Sequence, residues 1–256
     1  MQLKKVEPGN FCWAELATKD QPGAKKFYST VFGWKAHDEL LGGGVSYTML
    51  SKGDKNVAAI YNDTDPEVHP HWGLYIAVAD VLKSTSKVKS LGGAVIAEPF
   101  DVMQAGSMSV IQDPSGAVVC LWQAKLHQGF EVIDEPGSTC WYELYTRDTA
   151  AATKFYAGLF GWTTKVSAHM DTYTEWLRDG KSIGGMMEIS KDWGEYPPNW
   201  TVYFQIADVN ATVAAVEANG GKLTMPIHPI PGTGQFAMMS DPQGAGFAVI
   251  ELNQQG

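Results

Sequence analysis

The sequence predicts an α+β fold in two like halves, each built from two β-α-β-β-β units, and three observations carry that prediction. One pattern is written twice: Trp13-Ala-Glu15-Leu16-Ala-Thr18-Lys-Asp20, running to Phe27-Tyr28 and Phe32-Gly33-Trp34, returns as Trp141-Tyr-Glu143-Leu144-Tyr-Thr146-Arg-Asp148, running to Phe155-Tyr156 and Phe160-Gly161-Trp162. The offset of 128 residues (141 − 13) also relates Trp72 to Trp200, Asp80-Val81 to Asp208-Val209, Gly92-Gly93 to Gly220-Gly221 and Asp113-Pro114 to Asp241-Pro242, so the chain reads as a duplication. In each half, strand-like runs and single helical stretches then alternate in the same order. The expected division is residues 1–125, a link over 126–137, and residues 138–256.

The first strand-like run, residues 10–18, puts Trp13 and Glu15 on one face and Cys12, Ala14 and Leu16 on the other, because side chains alternate across a strand. Asp20 then stands at an N-cap position, Pro22 in the first turn, apolar residues follow at 24, 27, 28, 31 and 32, and Gly33 is a stop. The second copy, Asp148 to Gly161, lacks the proline. Runs 34–37, 46–50 and 57–61, broken by Gly42-Gly43-Gly44 and Lys52-Gly53-Asp54, complete the first unit. Residues 62–70 are polar with two prolines and read as an inner link. A strand over 71–78, a helix over 80–91 ended by Gly92-Gly93, and strands over 94–98, 108–112 and 117–123 repeat the order. Residues 125–138 join the halves. In the second half the fourth strand falls on 181–190, and the inner link 191–198 carries Trp193, Tyr196 and Pro197-Pro198, an aromatic, proline-bearing segment suited to fold over a cavity mouth.

Composition narrows the function classes. At 45% hydrophobic and 18% charged the chain is of ordinary globular type, and a formal net charge of −9 with no basic run argues against nucleic acid or an anionic membrane as partner. The first residues lack the apolar run of a signal peptide and no stretch reaches membrane-spanning length, so a cytoplasmic location is expected. Cys12, Cys120 and Cys140 are too few and too scattered for a disulfide framework or a CxxC metal site. No GxGxxG, Walker or GxSxG pattern is present.

The strand-Asp-helix opening, Phe-Tyr-x-x-x-Phe-Gly-Trp at the first helix exit and Asp-Pro-x-Gly before the last strand closely resemble the vicinal oxygen chelate superfamily, which includes glyoxalase I, extradiol dioxygenases and bleomycin-resistance proteins. The layout is most similar to two-domain glyoxalase-like proteins of bacteria. The resemblance implies tandem domains, each with its two units forming a curved, open-barrel sheet. It also implies, in metal-dependent members, a His, Glu, His, Glu ligand set on the first, fourth, fifth and last strands. Carried over, those positions fall on Trp13 and Trp141, on Glu188 with Ile60 as its partner 128 residues earlier, near Gly73 and Thr201, and on Cys120 and Ala248. Tryptophan, glycine and alanine ligate no metal, and His69, His71 and Glu67 lie in or beside a polar link, so neither metal nor other cofactor is expected.

If the same face of the first strand lines a cavity, Trp13 and Glu15 line it in one half and Trp141 and Glu143 in the other. Alternation adds His71, Tyr75, Cys120 and Trp122 in the first half and Thr201 and Tyr203 in the second as ligand-binding candidates. Glu15 and Glu143 are the candidate catalytic groups, since burial among aromatics raises a carboxyl pKa toward usefulness as a base. The structural reading set beside this is a strand carboxylate capping backbone N–H groups of a nearby loop. Trp34, Trp162, Trp72 and Trp200 read as packing residues. The expected function is binding of a small hydrophobic or planar molecule in an aromatic cavity without metal. The alternative is a lyase, isomerase or hydroxylase-like enzyme acting on a small carbonyl or polyketide-like substrate, with Glu15 or Glu143 as general base. The expected partner is a small molecule only, and the chain a monomer or a homodimer, because a duplicated chain supplies its own second domain.

Overall fold

The computed structural model describes residues 1–40, 46–167 and 172–253; Gly42-Gly43-Gly44 lies outside the described residues. The first half runs β1 (Phe11–Thr18), α1 (Gln21–Phe32), β2 (Lys35–Leu40), β3 (Ser46–Lys52), β4 (Lys55–Asn62), β5 (His71–Ala77), α2 (Val81–Val88), β6 (Ala94–Val102), β7 (Gly106–Gln112) and β8 (Val118–Ala124). The second runs β9 (Thr139–Thr146), α3 (Thr149–Phe160), β10 (Thr163–Val166), β11 (Tyr173–Arg178), β12 (Lys181–Glu188), β13 (Asn199–Ile206), α4 (Val209–Ala218), β14 (Lys222–Ile230), β15 (Gly234–Ser240) and β16 (Gly246–Leu252). Each half is one eight-stranded mixed sheet, in the orders β2-β3-β4-β1-β5-β8-β7-β6 and β10-β11-β12-β9-β13-β16-β15-β14, with both ends unpaired so that neither sheet closes. Inside a unit the first and last strands pair in parallel, and the two units meet where β1 runs antiparallel to β5. No helix among the described residues is long and apolar enough to cross a membrane.

Local chemistry sets the helix ends. Asp20 and Asp148 each accept a hydrogen bond from the backbone N–H three residues on, and Asp80 and Asp208 do the same for α2 and α4. Gly33 and Gly161 close α1 and α3 at φ 70° and 73°, a left-handed conformation that favours glycine at this position.

The repeated aromatic motif is the seam between the halves. The Tyr28 hydroxyl on α1 donates to Asp241 Oδ2 in the other half at 3.1 Å and accepts from the indole N–H of Trp72 at 3.0 Å. Reciprocally, Tyr156 donates to Asp113 Oδ2 at 3.1 Å and accepts from Trp200 at 2.7 Å. Trp34 donates to the Gly137 carbonyl and Trp162 to that of Gly9. The Phe-Tyr-x-x-x-Phe-Gly-Trp helix of one half therefore docks on the Asp-Pro-x-Gly turn of the other. This is the self-complementary geometry of a two-fold interface made within one chain. Phe27, Phe32, Phe204 and Phe247 fill the space between, in one hydrophobic core that runs through both halves.

The 128-residue register is broken locally. Ala59 pairs with Glu15, and Gly185 pairs with Glu143, so β4 and β12 correspond at an offset of 126 (185 − 59). The offset returns to 128 at β5 and β13, whose paired residues Gly73 and Thr201 face Glu15 and Glu143. The inner link of the second half is consequently two residues longer than that of the first.

Candidate functional site

Residues paired in register stand on the same face of a sheet, so β1, β5 and β8 together fix the site of the first half. Trp13 pairs with Tyr75, Glu15 with Gly73, Ala17 with His71, Tyr75 with Cys120 and Ala77 with Trp122. From β3, on the far side of β4, comes Tyr47. Its hydroxyl donates to Glu15 Oε2 at 2.6 Å and accepts from the Trp13 indole N–H at 3.2 Å, while Tyr75 donates to Glu15 Oε1 at 2.8 Å. Burial pushes the Glu15 carboxyl above its ordinary value, and the two phenols work against that shift by stabilising the anion. Burial, then the Glu15 charge, pushes the Cys120 thiol up to about 12, so it stays protonated near neutrality and is no nucleophile. The carboxylate partners are phenols. This corrects the structural reading of Glu15 as a cap on backbone N–H groups.

The second half repeats the relay with a different outcome. Trp141 donates to the Tyr173 hydroxyl at 2.8 Å, and Tyr173 donates to Glu143 Oε2 at 2.8 Å. The Tyr145 and Tyr203 hydroxyls lie 3.3 Å apart and, with Tyr173, work against the upward push of burial on the Glu143 carboxyl. Gly185 makes room for this, because a Cβ there would stand 1.8 Å from the Tyr173 hydroxyl oxygen. Tyr145 occupies the place that Ala17 holds in the first half, and the rings of Trp193, tilted, and Tyr196, edge-on, each stand 5.8 Å from it. Glu143 is left 5% exposed, with its carboxyl raised by burial.

A cavity of about 1190 Å³ opens on the first half and continues across the seam. Glu15, His71, Tyr75 and Cys120 line it from one side and Thr201, Tyr145, Trp193 and Tyr196 from the other. Its wall includes the carboxylates Glu15 and Asp63 and no lysine or arginine. Trp13 and Trp122 lie beyond it, at an end closed by the link between halves: the His127 ring stands edge-on to Trp13 at 4.5 Å, and the Trp122 indole donates to the His127 carbonyl at 3.0 Å. Glu143, Trp141 and Tyr203 sit within the second half and line no part of the shared cavity. Thr201 reaches it, with its hydroxyl spent on Asn199 Oδ1 at 2.8 Å. Sequence reading missed Tyr47, Tyr173 and Tyr145. The signal was a Tyr-Thr pair at 47–48 and 173–174, recurring at 126 residues and so invisible to a fixed offset of 128.

The donor set does not fit the metal centre that the fold family implies. The aligned positions hold Trp13, Gly73 and Cys120 in one half and Trp141, Thr201 and Ala248 in the other. Glu188 pairs with Thr146, one residue out of phase with Glu143, so it points away from the cavity, and its register partner in the first half is Asn62, which pairs with Thr18, rather than Ile60. His71 Nδ1 is engaged by the His69 carbonyl at 2.9 Å. Among the described residues no three His, Cys, Asp or Glu side chains gather as a metal site.

Comparison with known proteins agrees with the topology. The family model of the Glyoxalase/Bleomycin resistance protein/Dioxygenase superfamily matches residues 11–121 and 141–249. A putative glyoxylase, CFP32, of Mycobacterium tuberculosis is 40% identical over 245 residues, covering 93% of each chain. The anthracycline biosynthesis protein DauV of Streptomyces sp. is 32% identical over 268 residues, covering 98% of this chain and 96% of that one. In fold, the Mn(II)-bound glyoxalase of Novosphingobium aromaticivorans superposes with a TM-score of 0.66 at 13% identity, covering 95% of this chain and 82% of the other. With both halves matched and near-complete coverage by its relatives, the chain belongs to the glyoxalase/bleomycin resistance protein/dioxygenase superfamily.

Proposed function

We propose that the protein takes a planar, largely apolar small molecule into the first-half cavity, without a metal, and that Glu15, held by Tyr47 and Tyr75, is the polar group that meets it. The observation that carries this is the placement of the partly exposed Glu15 carboxylate, held by two phenols, on the wall of a largely apolar cavity of about 1190 Å³. Apolar walls with a few convergent polar groups are the usual make-up of small-molecule sites. The name of DauV, a protein of anthracycline biosynthesis, favours a fused polycyclic ligand. The seam already supplies each half with its partner domain, so the working unit is the monomer.

A second reading is favoured by one feature of the same carboxylate. A base whose pKa is raised by burial works closer to neutral pH, and Glu15 has open access to the cavity on one side. In an enzyme of this kind, Glu15 would take a proton from a carbonyl or polyketide-like substrate and return it, with Tyr47 and Tyr75 holding the carboxylate in place between the two transfers.

The test is equilibrium dialysis of the full chain against 1,8-dihydroxyanthraquinone as a three-ring planar probe. One equivalent should bind, with the same affinity after exhaustive chelation. Glu15→Gln should weaken it about tenfold, and Glu143→Gln should leave it within about twofold. An equal effect of the two substitutions would remove the first-half assignment. Mass analysis of carbonyl and polyketide-like compounds after incubation then separates binding from turnover.

A further inference from the structure

Granting the reading above that a planar molecule enters the first-half cavity, we infer that the ligand has two parts: a planar head beside Glu15 and a second ring that lies on a shelf formed by the other half at Trp193, Tyr196 and Pro197. The cavity is larger than the roughly 300–1,000 Å³ that ordinarily holds one compact small molecule, and it stays continuous from Glu15 across the seam to Trp193. Aromatic rings reach this wall from an inner link in the second half only, as Trp193 and Tyr196. The equivalent segment of the first half, residues 62–70, has no aromatic residue and is two residues shorter.

The shelf is built and held. Trp193 and Tyr196 meet edge to face at 5.8 Å with planes 90° apart, and both rest on Tyr145, which closes the second half beneath them. The Arg147 guanidinium clamps the segment from below, donating to the carbonyls of Gly194 at 2.8 Å and Tyr196 at 2.9 Å. Trp193 nonetheless remains 38% exposed, an apolar surface kept in place by a charged clamp yet facing open cavity. A flat ring lying there covers apolar area without ordering anything further, because the loop is already fixed. The wall offers the carboxylates Glu15 and Asp63 and, among the described residues, no lysine or arginine, which favours a second ring that is uncharged or bears a cation.

The experiment compares 1,8-dihydroxyanthraquinone with 1-benzyloxy-8-hydroxyanthraquinone, which adds one ring on a flexible bond, in calorimetric titrations of the full chain. Wild-type protein should bind the benzylated probe about tenfold more tightly, the range expected for one aromatic anchor. Trp193→Ala should erase that advantage, Trp193→Phe should keep most of it, and Arg147→Ala, which acts only by positioning the shelf, should reduce it. The bare probe should bind all four proteins alike, and because Trp193 is exposed its variants should melt with the wild type. Equal affinity of the two probes for wild-type protein, or an equal loss for both in Trp193→Ala, would overturn the two-part ligand and leave the first-half site standing. Failure of both probes to bind would overturn the planar-ligand reading itself, and the inference with it.

Discussion

The two halves share a chassis and differ in contents. In both, a tryptophan on the first strand donates to a tyrosine, and that tyrosine donates to a glutamate two residues from the tryptophan. In both, a helix tyrosine reaches a turn aspartate across the seam. The halves part at one position. Ala17 leaves the first carboxylate facing open volume, whereas Tyr145 fills that volume in the second and sets its hydroxyl against that of Tyr203. One side chain of different size is enough to turn a site into core, because a close-packed interior admits no ligand where a ring already stands. The seam is shared by both halves and so is constrained twice, while each cavity is free to drift alone.

The largest effect should come from breaking the shared part. Asp113 accepts from the backbone N–H groups of Ser115, Gly116 and Ala117 as well as from Tyr156, and Asp241 is engaged likewise by Gln243, Ala245 and Tyr28. Replacing either aspartate by alanine strands several buried donors, each worth about 1–3 kcal/mol. We expect Asp113→Ala and Asp241→Ala each to cost roughly 4 kcal/mol in denaturant unfolding, within about 1 kcal/mol of one another. A strongly unequal pair of values would show that the seam is not the symmetric element described above.

A smaller effect should sharpen the difference. Tyr145→Ala gives the second half the residue of the first, at a stability cost of about 3 kcal/mol for emptying a buried aromatic site. Emptied, that half should accept a planar ligand beside Glu143, and binding stoichiometry for 1,8-dihydroxyanthraquinone should rise from one to two. A stoichiometry that stays at one would mean that something other than Tyr145 closes the second half.

Much of the fold was legible because its signals are local and repeated. The Asp20 and Asp148 caps, the Gly33 and Gly161 stops and the strand alternation through Trp13 and Glu15 depend on a few adjacent residues each. The seam was half legible: Trp34, Trp72, Trp162 and Trp200 read as packing residues, but nothing in the sequence says that they pack against the opposite half. The site was less so. Which end of a sheet interior is open depends on the size of side chains brought in from other strands, as with Tyr145, and on segments that return from far along the chain, as with His127 over Trp13. A two-residue slip in β3 and β4, compensated in the inner link, hid Tyr47 and Tyr173 as a pair and assigned Glu188 the wrong partner. Hydrogen-bonding partners of a buried carboxylate are tertiary facts, and no spacing rule reports them.

The smallest effect concerns the stopper at the closed end of the first cavity. Burial depresses the His127 imidazole from the ordinary 6.5 to about 4, and its Nε2 has no hydrogen-bond partner, so the folded chain holds the ring neutral between Trp13 and Trp122. In the unfolded chain the ring takes up a proton below about pH 6.5, so between that pH and about 4 the unfolded state binds more protons than the folded one. The sign follows: the contribution is present in full above pH 6.5 and is lost as pH falls toward 4. The ring is half-buried, and solvent screening leaves roughly 1 kcal/mol for the whole window. His127→Gln keeps a side chain of similar size without the titration. Wild type and variant should therefore show parallel stability curves above pH 7, and the wild type alone should lose the additional ~1 kcal/mol on acidification from 6.5 to 4. The glutamates and seam aspartates, Glu15, Glu143, Asp113 and Asp241, act in the opposite sense, since burial raises their carboxyl values and costs stability as pH climbs through them. They are present in both proteins and cancel in the difference curve. A difference curve flat from pH 8 to 4 would show that His127 is hydrated in the fold, and the closed end of the first cavity would then be open to water.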